Sequence, residues 1–92
     1  MNIKVADQFR AFDVWKRKGA DGVVRYRCFE DTSTSMFCVQ SSDRYHSPIS
    51  VDRISQLEKQ FIELLVEESP FERSGAFATV EEGIADHDKS FE

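Results

Sequence analysis

The sequence predicts a small α+β domain: a three-stranded antiparallel β-meander packed on one long amphipathic helix, followed by a short C-terminal helix. Three observations predict it. Two runs, Arg10–Arg17 and Val23–Asp31, alternate apolar and polar residues on either side of Asp21-Gly22, a hairpin signal. The stretch Ser50–Glu68 changes period, placing Val51, Ile54, Leu57, Phe61, Leu64 and Leu65 at helical spacing with Asp52, Gln56, Lys59 and Glu63 opposite. Thr79-Val80-Glu81-Glu82 has the form of a capping box, and Val80, Ile84, His87 and Phe91 continue as a second helical stripe.

Each element has its own justification. Residues 1–8 show no clear period and read as an arm or a short edge strand. Pairing Arg17 with Val23 sets Val14 opposite Tyr26 and Phe12 opposite Cys28 on one face. The other face then joins Asp13 to Arg27 and Trp15 to Arg25, an ion pair and a cation–π pair. Closing the next turn from Asp31 to Met36 puts Val39 beside Cys28 and Phe37 beside Glu30, with Met36, Cys38 and Gln40 on the Phe29/Arg27 face. This register keeps the two cysteines from direct opposition. The polar segment Ser41–Pro48 reads as a bend with a short extended piece at Tyr45-His46. Ser50 or Ser47-Pro48 caps the long helix, and Ser69-Pro70 ends it. Phe71–Ala78 is a connector with a short strand around Phe77, and Gly83 inside the last helix implies close packing of that turn. The stripe of the long helix is expected to lie on Phe12, Val14, Tyr26 and Val39.

At 92 residues the chain is one domain, residues 1–92, able to bury about two-thirds of its unfolded surface. Eight Phe, two Tyr and one Trp supply a core without staples. Two cysteines and no signal-peptide pattern point to reduced thiols in a cytoplasm, and no apolar run reaches membrane-spanning length. The net charge of −5 is uneven: residues 1–50 hold eight basic against six acidic groups, whereas residues 51–92 hold four against eleven.

No catalytic, cofactor or metal motif is present. Asp86-His87-Asp88 are adjacent on a helix and point about 100° apart, so they cannot converge on one ion. Cys38 and His46 lack a glycine-rich elbow or oxyanion-hole motif, and the four glycines form no phosphate cradle. The reading is therefore a non-enzyme without cofactor.

Binding surfaces carry the functional expectation. Trp15, Arg25, Arg27 and Phe29 share the outer sheet face, which the last helix or the N-terminal arm covers as a second core layer or which meets a protein partner; aromatic rings interleaved with arginines also suit, as the alternative, nucleic acid. Asp52, Glu63, Glu67 and Glu68 form an acidic helical surface able to meet a basic one. Ile62 and Val66 on the helix shoulder could seat the last helix, a partner or a second copy in a homodimer. Size, acidity and the absence of catalytic motifs are shared with small inhibitors of the anti-defence and immunity type. The expectation is a cytoplasmic inhibitor or regulator that occupies a basic or nucleic-acid-binding surface of a partner protein, with the outer-face and acidic residues as contacts.

Overall fold

The computed structural model describes residues 8–91, with the backbone alone at Phe91. The expectations for residues 1–7 and for the Phe91 side chain lie outside the described residues. Three strands, β1 (Phe9–Lys18), β2 (Gly22–Asp31) and β3 (Phe37–His46), form one antiparallel sheet in the order β1-β2-β3. Helices α1 (Val51–Glu67), α2 (Pro70–Ser74) and α3 (Val80–Phe91) follow. The α+β class, the meander and the long helix with a short C-terminal helix are as the residue patterns predict.

The β1/β2 ladder holds the expected register, with Arg17 opposite Val23, Val14 opposite Tyr26 and Phe12 opposite Cys28. The β2/β3 ladder starts as expected, pairing Glu30 with Phe37, Phe29 with Cys38 and Cys28 with Val39. It then shifts: Arg27 faces Ser41, so Gln40 is an extra residue on β3, a β-bulge. Beyond it Ser42, Asp43 and Tyr45 pair with Tyr26, Arg25 and Val23. Ser41–Pro48 is therefore not a bend; β3 continues through His46. Among its polar side chains, Asp43 and Tyr45 meet Arg25 across the ladder and Ser42 meets His87 on α3.

The bulge reverses the alternation of β3. Val39 lies with Tyr26 and Cys28, yet Asp43 and Tyr45 lie with Arg25 and Arg27. Val24, Tyr26, Cys28 and Val39 form the core cluster, and Phe12, Val14, Val80 and Ile84 pack against it. So α3 covers this face. The long helix lies on the other, where Phe61 stacks on Phe29 with ring centroids 5.6 Å apart. This corrects the expected partnership of α1 with Tyr26 and Val39. The physical reason is complementarity: α1 carries Glu58 and Phe61, which satisfy the buried Arg27 and Phe29, whereas α3 offers the Val80/Ile84 stripe to the cluster of Val24, Tyr26, Cys28 and Val39.

The ends of the helices match the sequence signals. Ser50 accepts the Arg53 N–H at 3.2 Å, and Thr79 accepts the Glu82 N–H at 3.2 Å. Pro70 opens α2 rather than a plain connector, with Ser69 as its cap. Phe77 makes a two-way backbone bridge with Phe37, at 2.7 and 2.8 Å, an isolated bridge where a short strand was expected. Gly83 is packed hard: a Cβ there would stand 3.2 Å from Val39 Cγ2 and 3.4 Å from Phe77 Cδ2. We expect Gly83→Val to destabilise the domain by about 1–3 kcal/mol through overpacking, read as a lowered midpoint in urea unfolding.

Candidate functional site

The face under α1 is built around two arginines on β2. Arg27 is 6 % exposed. Its guanidinium lies 4.3 Å from the centre of the Phe61 ring and donates to Glu58, with Asp43 3.7 Å from its Nε. Burial opposes the charge on Arg27, but the Glu58 hydrogen bond and the carboxylates of Glu58, Asp13 and Asp43 outweigh it and raise its pKa. Glu58 in turn is held below the usual carboxylate range by its bond to Arg27, although burial works against this.

Arg25 lies one register step nearer the hairpin. Its guanidinium sits 5.3 Å from the ring centres of both Trp15 and Tyr45, donates to the Tyr45 hydroxyl at 2.6 Å and reaches Asp43 at 3.5 Å. Asp43 is therefore shared by both arginines, and its side chain is 12 % exposed. The result is a fixed stack of Trp15, Arg25 and Tyr45 with its charge already answered. Beside it opens an apolar pocket of about 210 Å³ walled by this stack together with Val23, Ile49 and Ile54. Trp15 is 54 % exposed and Ile49 56 %.

The expected contact residues thus divide. Trp15 is at the surface and Arg25 is half-buried in the pocket wall. Arg27 and Phe29 lie under α1 and present no free surface. Asp52, Glu63, Glu67 and Glu68 are all exposed along α1 and at its end. Glu63 pairs with Lys59 at 3.4 Å, while Glu67 and Glu68 lie 3.8 and 3.6 Å from Arg73. On the shoulder of α1, Ile62 and Val66 are 53 % and 81 % exposed, so α3 does not cover them. Val51, expected on the packed stripe, is exposed as well.

Asp43 and Tyr45 were hidden from a reading of the residues because they sit in a polar run next to a proline. Their signal was the alternation Ser41, Asp43, Tyr45, which becomes legible once a one-residue bulge is allowed.

On the opposite face, the Tyr26 hydroxyl donates to Asp88 at 2.9 Å, and its pKa is raised by burial and by that carboxylate. His87 Nε2 lies 3.0 Å from Ser42 Oγ, tying α3 to β3. Burial pushes the Cys28 and Cys38 thiols up to about 12. Among the described residues no group of three His, Cys, Asp or Glu side chains gathers closely enough to hold a metal ion. No described helix is long and apolar enough to cross a membrane.

Comparison with protein-family models, with curated proteins and with solved structures returned no match.

The two arginine sites make distinct predictions. Arg27→Ala takes from Asp43 one of its two arginines and from Glu58 and the Phe61 ring their cation, leaving a gap under α1, and should cost about 3 kcal/mol, whereas Glu58→Gln, at a half-exposed position, should cost less than about 1 kcal/mol; urea unfolding distinguishes them. A second expectation concerns acid. Burial holds His87 below its ordinary pKa, against the raising pull of Asp88 and Asp86. The folded chain therefore takes up a proton there less readily than the unfolded chain, so stability present above about pH 6.5 is lost as pH falls toward the folded value. Glu58 and Asp31, whose carboxylates are also held low, add losses of the same sign at more acid pH. The thermal midpoint should fall between about pH 7.5 and about pH 5.5, and the fall should be shallower in His87→Gln.

Proposed function

We propose that this chain is a small non-catalytic protein-binding module, a cytoplasmic acidic inhibitor or regulator of the anti-defence or immunity type. It occupies a basic or nucleic-acid-binding surface of a partner protein. The observation that carries this reading is the open pocket walled by Trp15, Arg25, Tyr45, Ile49 and Ile54. Trp, Tyr and Arg are the residue types that dominate binding energy at protein interfaces, most of all where they form a preorganised wall around a pocket. Here the stack is fixed before any partner arrives, so little side-chain freedom is lost on binding.

On α1, Val51 near the pocket and Ile62 and Val66 farther along are exposed as well. Asp52, Glu63, Glu67 and Glu68 accompany them. An apolar pocket with charged neighbours has the anatomy of an interface core and rim. The sign of that charge favours a basic partner and speeds encounter with it. For direct nucleic-acid binding, Trp15 is the exposed ring of the expected platform, since Phe29 and Arg27 lie beneath α1. A cytoplasmic setting accords with two buried thiols placed on opposite faces of the sheet.

The test is affinity capture with the whole chain as bait, compared across variants. A partner held by the wild type should bind Trp15→Ala about 2 kcal/mol more weakly, roughly thirtyfold. Glu63→Lys with Glu67→Lys should chiefly slow association and flatten its salt dependence. Capture indifferent to all three substitutions would refute the interface.

A further inference from the structure

Part of the basic charge of residues 1–50 gathers at the hairpin end of the sheet, on the face that carries Val24 and Tyr26. Lys16 and Arg44 are the ladder partners of Val24 on its two sides, so the three form one row across the sheet. Partners in a ladder project to the same face, and β1 and β3 stand about 10 Å apart across β2. Lys18 follows two residues along β1 on that face, opposite Gly22, which has no side chain to fill the space. The three cations therefore stand around a depression floored by Val24. His87 and Asp88 of α3 close another side, leaving a cleft of about 110 Å³.

Among the described residues, Lys16, Lys18 and Arg44 take part in no ion pair, unlike Arg10, Arg25, Arg27 and Arg73. The Tyr26 pKa is raised by burial and by Asp88, but the positive charge of Arg44 pulls it the other way, so that guanidinium acts on the hydroxyl in the cleft wall. Asp88 is the carboxylate in the described lining, and the Tyr26 hydroxyl engages both of its oxygens, at 2.9 and 3.1 Å. Three cations against one carboxylate leave a charge of +2. Ser42, whose Oγ lies 3.0 Å from His87 Nε2, adds a hydroxyl to the wall. Size and charge then name the occupant. At roughly 30 Å³ per water, the cleft has room for a few waters or one tetrahedral oxyanion, and none for a base or sugar ring beside it. A phosphomonoester and the hydrogen phosphate ion both approach a charge of −2 at neutral pH, which answers the +2. A diester carries a single charge and would have to thread its chain through the cleft. We infer that this cleft binds a terminal phosphoryl group, as the free ion or as the end of a small monoester, between Lys16, Lys18 and Arg44. The site lies on the opposite face of the sheet from the Trp15 pocket and does not rest on the protein-binding reading.

Nuclear magnetic resonance of the whole chain tests it, following the backbone amides of Val24, Ser42 and Arg44 at neutral pH and fixed ionic strength. Saturating shifts in the millimolar range or below are expected with orthophosphate, with methyl phosphate or with both. Tighter binding of the ester would identify a monoester as the ligand, and the reverse the free ion. Dimethyl phosphate should bind at least about tenfold more weakly than the better of the two. Lys16→Gln and Arg44→Gln, both at exposed positions, should each weaken binding at least about tenfold while the unfolding midpoint stays where it is. Arg17→Gln removes a charge from the same strand but from its other face, and should leave binding unchanged. The proposal is overturned if neither dianion gives saturating shifts, or if dimethyl phosphate binds as tightly. It is also overturned if Lys16→Gln and Arg44→Gln bind like the wild type. An equal loss in Arg17→Gln and Lys16→Gln would overturn it too, because general attraction to a basic hairpin would then account for the binding.

Discussion

Between Phe29 and Arg25, β2 offers five residues to six on β3, and the strand absorbs the excess at Gln40. Strand geometry allows no intermediate solution, because side chains alternate strictly and one added residue exchanges the two faces. Upstream of the bulge, β3 contributes Val39 to the core; downstream, it contributes Asp43 and Tyr45 to the arginines under α1. A regular β3 would have sent Asp43 and Tyr45 to the Tyr26 side. Arg25 and Arg27 would then be left without the carboxylate they share. The stack that walls the Trp15 pocket depends on that single displaced residue, because it includes Tyr45.

The sheet is consequently covered on both faces, but by different means. Against α3 it presents a compact apolar cluster, closed by Val80, Ile84 and the tight approach of Gly83. Against α1 the contact is mixed, with Phe61 on Phe29 and a paired guanidinium beside them. No residue of α1 is fully buried. A helix seated this lightly relies on Arg27 for orientation as much as on apolar area, since the buried charge is stable in the one arrangement that brings Glu58 and Asp43 to it. The same light seating leaves Ile62 and Val66 in solvent.

Much of this was legible in the residues, and the omissions have physical causes. The β1/β2 register could be read because both faces of that hairpin make chemical sense in only one alignment: Val14 meets Tyr26 just where Asp13 meets Arg27. The bounds of α1 could be read from its stripe and from Ser50 and Pro70. Its side of the sheet could not, because an apolar stripe does not say which of two greasy faces it will cover. The burial of Arg27 has no local signal, because charges are seldom buried and its partner Glu58 stands 31 positions away. Trp15 and Arg25 were placed correctly as neighbours on one face, whereas Tyr45, which completes their stack, was concealed within a polar run.

The two sulfur atoms carry a consequence of their own. Cys28 and Cys38 reside on opposite sides of the same sheet, and each thiol ionises only near pH 12. At neutral pH both therefore stay protonated, and the thiolate is the species that oxidants and electrophiles attack. The native sulfurs should be silent toward alkylating dyes and mild peroxide. A cysteine placed deliberately on the surface could then be labelled alone, with no need to remove the two that nature supplied.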